Sequence, residues 1–204
     1  MKPILQSIRM LIFMTILTGI GYPFLMTAIG AAFFREQADG SMLQSSDVIL
    51  GSRLVAQEFK TDNYFWSRPS GGANFNPLPS GGTNLGPTSA DLKKSVADRI
   101  TKLKIAHPDE GEPPQDLYFS SGSGLDPEIS PEAAHYQIRR VAKTRGMNIP
   151  TVESLVARHT FKPQFGILGE PRVHVLALNI ALDEAQGIKI HPQYIPDPPK
   201  KEGQ

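Results

Sequence analysis

The side chains of this chain that could do chemistry are concentrated in three segments. Tyr64-Phe65-Trp66-Ser67-Arg68-Pro69 sets three aromatics, the single Trp among them, beside an arginine. Such a group either anchors the loop that follows or forms an interface hot spot, where Trp, Tyr and Arg are enriched. The run from Ser120 to Pro131 (SSGSGLDPEISP) carries Asp126 and Glu128. Two carboxylates so placed suit acid–base or ion-binding work, or a turn that feeds negative charge into a helix N-terminus. Gly169-Glu170-Pro171-Arg172 offers an acid and a base that can pair with each other or with the loops. The five histidines (His107, His135, His159, His174 and His191) are too dispersed for a local metal cluster and read as surface or hydrogen-bonded helix residues. Gly-x-x-x-x-Gly-Lys, Gly-x-Ser-x-Gly and His-Glu-x-x-His are all missing from the sequence. The count of zero cysteines excludes disulfides, thiol catalysis and Cys-ligated zinc.

Elements that must position these groups are legible nearby. Val48 to Phe59 reads as strand with a turn at Gly51-Ser52. A Gly/Pro/Asn/Ser-rich stretch from Arg68 to Pro87 holds a short repeat: Pro69-Ser-Gly-Gly-Ala-Asn-Phe-Asn-Pro77 returns as Pro79-Ser-Gly-Gly-Thr-Asn-Leu-Gly-Pro87. Its Gly-Gly pairs and asparagines predict ordered turns. A helix starts at Thr88 or Ser89, with Leu92, Val96, Ile100 and Leu103 as its apolar stripe, and ends at His107-Pro108. Asp116 to Ser121 reads as a strand. A second helix is capped by Ser130-Pro131 and stops at Gly146; a third takes Thr151 as its N-cap. Val173 to Leu182 (VHVLALNIAL) is apolar on both faces and reads as a central strand, with a helix as the alternative. Strands and helices in this irregular order predict an α+β domain.

Upstream of all this, no residue from Met10 to Phe34 carries a formal charge. That is about 37 Å of helix at ~1.5 Å per residue, more than the ~30 Å hydrocarbon core needs. We therefore expect a transmembrane helix over 10–34, with Gly19 and Gly21 giving a small face for helix packing and Pro23 removing the backbone bond toward Gly19. A cleaved signal peptide is the rival reading, but its apolar region is usually about 7–15 residues. Lys2 and Arg9 precede the span, whereas Arg35 is the only basic residue between it and Ser52. The positive-inside rule then puts residues 1–9 in the cytoplasm and an extracytoplasmic domain, 36–191, outside, with 192–204 as a flexible tail. The balance of 21 basic against 20 acidic residues gives no electrostatic case for nucleic acid.

Taken in order, the motifs resemble a known family. Gly21-Tyr-Pro23, Tyr-Phe-Trp-x-Arg-Pro-Ser at 64–70, Ser-Gly-Gly-Thr-Asn-Leu-Gly-Pro-Thr at 80–88, Ser-Gly-Ser-Gly-Leu-Asp-Pro-x-Ile-Ser at 121–130 and Gly-Glu-Pro-Arg-Val at 169–173 resemble the C subunits of the bacterial Kdp potassium-transporting P-type ATPases. The acidic connector at 107–114 and the end of the chain after about residue 187 diverge. The resemblance implies a non-catalytic, single-pass subunit of a pump in the bacterial inner membrane. Its implied partners are a channel-like potassium-binding subunit, a P-type ATP-hydrolysing subunit and a small single-span subunit. The complex would use ATP, Mg and K+, with none of them bound directly by this chain. Family descriptions make the C subunit a catalytic chaperone that raises ATP affinity, and liken the loop here at Ser80–Gly86 to an ABC-transporter signature. The topology read from flanking charge puts that loop across the bilayer from cytoplasmic nucleotide.

Candidate partner-contact residues follow from the motifs: Tyr64, Phe65, Trp66 and Arg68; Ser80, Gly81, Gly82, Asn84, Leu85 and Gly86; Ser123, Gly124 and Asp126; Glu170 and Arg172. Gly19, Gly21 and Pro23 are the candidates for packing in the membrane. No catalytic or metal residues are expected. The competing classes are an exterior hydrolase using Asp126, Glu128 or His159, and a tethered ligand-binding module.

Overall fold

The computed structural model describes residues 2–45, 48–71, 75–78 and 80–188. The expected tail at 192–204, His191 and part of the first repeat copy lie outside the described residues. The chain divides into two units, Met1–Met42 and Leu43–Gln204.

The first unit is helical from α1 (Lys2–Ile16) through a π-helical turn (Leu17–Gly21) into α2 (Tyr22–Phe33), followed by the short α3 (Arg35–Ala38). The 32 residues from Lys2 to Phe33 form one helix long and apolar enough to cross a membrane, with a mean hydropathy of 1.7 over its span window. Pro23 does more than delete one hydrogen bond. The wider turn falls just before it, where the Tyr22 N–H reaches the Leu17 carbonyl, five residues back. Widening relieves the clash between the proline ring and the carbonyl four residues earlier, that of Gly19.

In the second unit, β1 (Met42–Ser45) pairs with β2 (Val48–Ser52). The strand expected over Val48–Phe59 ends at Ser52: Gly51 and Ser52 belong to it, the turn follows, closed by the Leu54 N–H on the Ser52 hydroxyl, and 53–59 lies outside any strand. After a long connection come α4 (Ala90–Ala106), β3 (Glu128–Ile129), α5 (Pro131–Arg145), α6 (Ile149–Arg158), β4 (Thr160–Phe161), β5 (Arg172–His174) and α7 (Val175–Ala185). Strands β3, β5 and β4 form an antiparallel sheet in the order β3-β5-β4, with Ile129 and Thr160 both opposite Val173. The architecture is therefore α+β, as expected.

Local chemistry explains most boundaries. The Ser89 and Ser130 hydroxyls accept from the N–H groups of Leu92 and Ala133 and start α4 and α5. Gly146, at φ 65°, ends α5: Gly146 and Met147 donate to the Lys143 and Ala142 carbonyls, which is a Schellman motif. Three further expectations need correction. The cap of α6 is Asn148, whose side chain accepts from the Thr151 N–H at 2.9 Å; Pro150 needs no donor partner inside the first turn, so the helix begins before it. Asp116–Ser121 is no strand but a 3-10 turn (Gln115–Leu117) and loop. Val173–Leu182 turns from strand to helix at His174. His174 Nδ1 accepts from the Ala177 N–H at 3.2 Å while Nε2 donates to the Arg53 carbonyl at 2.8 Å. β-Branching favours extension only at the head of that segment.

The core gathers Ile129, Val141, Val152, Val156, Val173, Leu178 and Leu182 around Tyr64 and Phe65, all essentially excluded from solvent. Of the α4 stripe only Leu103 is buried; Leu92, Val96 and Ile100 are half-covered.

Candidate functional site: a clasped motif and an arginine-clamped cleft

The segment Tyr64–Trp66 runs through the domain outside every helix and strand, with Tyr64 and Phe65 fully buried. Its backbone groups must find other partners there, because an orphaned buried N–H or C=O is costly. Two side-chain amides supply them. Asn179 on α7 accepts from the Phe65 N–H at 2.9 Å and donates to the Phe65 carbonyl at 3.0 Å. Gln137 on α5 does the same for Trp66, at 2.7 and 3.2 Å. Each amide imitates an adjoining strand.

Guanidinium groups complete the clasp. Arg140 donates to the Asp62 and Tyr64 carbonyls, to Gln137 Oε1 and to His107 Nε2, and its guanidinium carbon lies 4.1 Å from the Trp66 ring centroid. Arg145 stacks on Tyr64 at 4.6 Å and pairs with Asp183 at 2.8 Å; Asp183 in turn accepts from the Tyr64 hydroxyl at 2.8 Å. Burial and the Asp183 carboxylate push the Tyr64 phenol far above its ordinary value. Tyr64 and Phe65 thus anchor the chain from inside, and surface for a partner falls to Trp66 and Arg68, which are partly exposed.

His107 is a buried group, not a surface one. Its Nδ1 faces the Leu103 carbonyl at 2.8 Å, which can only accept, so Nδ1 carries the proton and Nε2 accepts from Arg140 at 2.8 Å. Burial, with the Arg140 guanidinium beside it, holds the imidazole down at about 4.

Beyond Trp66 the three Gly-Ser motifs meet backbone to backbone. A Cβ on Gly71 would lie 2.6 Å from the Gly81 carbonyl oxygen. One on Gly124, which is at φ +69°, would lie 2.7 Å from that oxygen and 3.0 Å from the Gly71 nitrogen. Only glycine permits such approach together with a left-handed backbone. Ser123 accepts from the Leu125 N–H, fixing the turn. Ser80, Asn84, Leu85 and Gly86 are exposed beside this junction; Asn84 sits at φ 52°, and the Gly86 carbonyl receives the Ser89 N–H at the head of α4.

Next to the junction opens a cleft of about 780 Å³, walled by residues of β3, β5 and the loops before them. Arg68 and Asp126 pair across it at 2.9 Å, and Arg172 reaches Glu128 at 2.8 Å, a diagonal contact on one face of the β3-β5 ladder. Glu170 is not the partner of Arg172 but stands exposed on the cleft wall. Five carboxylates (Asp116, Asp126, Glu128, Glu132, Glu170) line the cleft against two guanidiniums (Arg68, Arg172), a formal excess of three negative charges. Asp126 also caps the Glu128 N–H, and Asp116 accepts from the Ser130 N–H. Asp126 and Glu128, open in the sequence to acid–base work or to a structural turn, are therefore arginine-clamped structural carboxylates. His159 bonds the Leu155 carbonyl of its own helix. Among the described residues no group of three or more His, Asp or Glu is arranged to hold a metal ion.

The arrangement brings the four motifs of the second unit together: 64–70 enters the core, 80–88 and 121–126 meet on it, and 169–173 closes the cleft. Sequence reasoning missed Gln137, Arg140, Asn179 and Asp183. Their signal is polar residues at helical spacing inside otherwise apolar faces, Asn179 and Asp183 at i and i+4 being the clearer pair.

Comparison with known proteins covers both units. The family described as "K+-transporting ATPase, c chain" matches residues 4–184. A protein of Paraburkholderia phytofirmans named "Potassium-transporting ATPase KdpC subunit" is 53% identical over 174 residues, 84% of this chain and 91% of that protein. Its namesake in Methylococcus capsulatus is 47% identical over 180 residues, 87% of this chain and 95% of its own. Another, in Burkholderia mallei, is 48% identical over 172 residues, covering 83% and 89%. With a match that runs through the apolar helix and the whole clasped domain, this chain belongs to the family of K+-transporting ATPase c chains.

Proposed function

We propose that this chain is the accessory, non-catalytic subunit of a potassium-transporting Kdp ATPase, held in the membrane by its N-terminal helix and needed for assembly and activity of the pump. The observation that carries the reading is the family match over residues 4–184, which takes in the span and the domain alike. The arginine-clamped carboxylates support it from the chemical side, since neither Asp126 nor Glu128 is free to serve as an acid or base. That same pairing disfavours the hydrolase alternative.

On this reading the helix lies against the channel-like subunit through the Gly19–Gly21 face, with the P-type ATP-hydrolysing subunit and a small single-span subunit completing the complex. ATP, Mg and K+ are used by the complex and not bound by this chain. The N-terminus is cytoplasmic and the domain exterior, near the potassium entrance. A net-acidic cleft there raises the local cation concentration, an effect that salt weakens. A role of Ser80–Gly86 at cytoplasmic nucleotide is incompatible with this orientation.

The chain's lack of native cysteine makes orientation directly measurable. In Gly111→Cys, at an exposed position, a membrane-impermeant maleimide should label spheroplasts of intact permeability. Labelling that appears only after permeabilisation would overturn the exterior placement. Purification through the ATP-hydrolysing subunit should bring this chain along and, when the chain is deleted, yield a complex without potassium-stimulated hydrolysis.

A further inference from the structure

Strands β4 and β5 are joined by a hairpin-like finger. Gln164 and Leu168 exchange both backbone hydrogen bonds at 2.9 Å, and the Ile167 N–H also reaches the Gln164 carbonyl. Phe165 and Gly166 lie at φ 54° and 79°, the positive angles that a type I′ turn demands at both central residues. Gly166 adopts this freely. Phe165 does not: Asn, Asp or Gly would hold the first central position at lower cost, and a bulky residue there is an outlier. Phe165 is 91% exposed, with Ile167 81% exposed beside it and Phe161 and Leu168 half exposed. Backbone strain and exposed hydrocarbon coincide at one tip.

The finger is continuous with the cleft. Its descending arm, Gly169 to Arg172, forms one of the cleft walls, so an apolar tip and a surface with three excess negative charges adjoin. A hydrocarbon interior rewards buried area of any shape, and anionic headgroups would be repelled by the cleft. A protein pocket rewards a side chain held in one direction, and cationic groups around that pocket would match the cleft. The features favour a protein over a lipid surface.

We propose that the 161–168 finger is an insertion element, with Phe165 and Ile167 seated in an apolar pocket flanked by basic side chains on another chain of the transport complex. This rests on the reading of the chain as an accessory subunit and adds a contact site outside the motif loops.

The test uses the intact complex, purified through a tag on another subunit. Phe165→p-benzoylphenylalanine should, on irradiation, capture a peptide of another chain that is apolar and carries Lys or Arg. Phe165→Asp combined with Ile167→Asp should lower the amount of this chain retained per tagged subunit by tenfold or more. Ile105→Asp, at a comparably exposed position on α4, should retain it fully. All three sites are exposed, so the variants should fold, and an unchanged thermal melt of the full chain in detergent checks this. Capture of lipid alone, capture of nothing within an intact complex, or equal retention of the finger and Ile105 variants would overturn the proposal. Failure of the wild-type chain to travel with the tagged subunit would overturn the accessory-subunit reading itself, and the finger with it.

Discussion

Replacing Asn179 with leucine tests the clasp on the aromatic motif. Both Asn179 and Phe65 are fully buried, and the amide serves the Phe65 N–H and C=O together at 2.9 and 3.0 Å. Leucine has the same number of side-chain heavy atoms but is bulkier, so no cavity opens; two buried backbone groups lose their partners and some overpacking is added. At ~1–3 kcal/mol for each orphaned group, part of it offset by the more apolar side chain, the domain should lose about 3 kcal/mol. Asn179→Asp should cost a similar amount near neutral pH, because one carboxylate oxygen still accepts from the N–H while the other faces the Phe65 carbonyl, acceptor against acceptor. The measurement is urea unfolding of the full-length chain in detergent followed by circular dichroism. The apolar helix stays folded in the micelle, so the transition reports the domain. A midpoint shift worth less than about 1 kcal/mol for Asn179→Leu, at unchanged slope, would refute the claim that side-chain amides substitute for a missing strand.

The remaining predictions concern the junction and pH. Gly124→Ala forces a Cβ to 2.7 Å from the Gly81 carbonyl at a left-handed backbone position, so we expect a loss of more than about 2 kcal/mol; Gly111→Ala, with open space around it, should leave the melting temperature unchanged. His107 is held at about 4 in the folded domain against an ordinary 6.5, so the unfolded chain binds its proton first on acidification. Its contribution is complete above about pH 6.5 and is lost as pH falls toward 4, about 2 kcal/mol of it by pH 5. Unfolding free energies from urea titrations at pH 7 and pH 5 should differ by about 2 kcal/mol more in the wild type than in His107→Gln; equal differences would show that the His107–Arg140 bond is not the acid-sensitive element.

Much of the local structure was legible because it is decided by near neighbours. The caps at Ser89 and Ser130 and the stop at Gly146 follow from single residues whose side chain or backbone freedom meets helix-end groups three or four positions away. The apolar helix is legible for a comparable reason: charge-free length alone decides whether a segment can cross hydrocarbon. Thr151 is not the cap of α6 because Pro150 fits inside a first turn, which lets the helix begin at Ile149 behind Asn148. The Val173–Leu182 run was ambiguous because a segment buried on all sides has no period to read.

By itself, then, the chain's order of residues determined one helix long and apolar enough to cross a membrane, the helix starts and stops and the set of motif loops, since each of these depends on interactions within a few residues. Tertiary structure alone decided that Tyr64 and Phe65 point inward, that Asp126 and Glu128 are neutralised by Arg68 and Arg172, and that glycines 71, 81 and 124 touch. Those contacts join segments tens of residues apart, and no local preference encodes which distant partner satisfies a buried N–H or carboxylate. The packed core does so, by placing Asn179, Gln137 and the arginines where those groups would otherwise be left without partners.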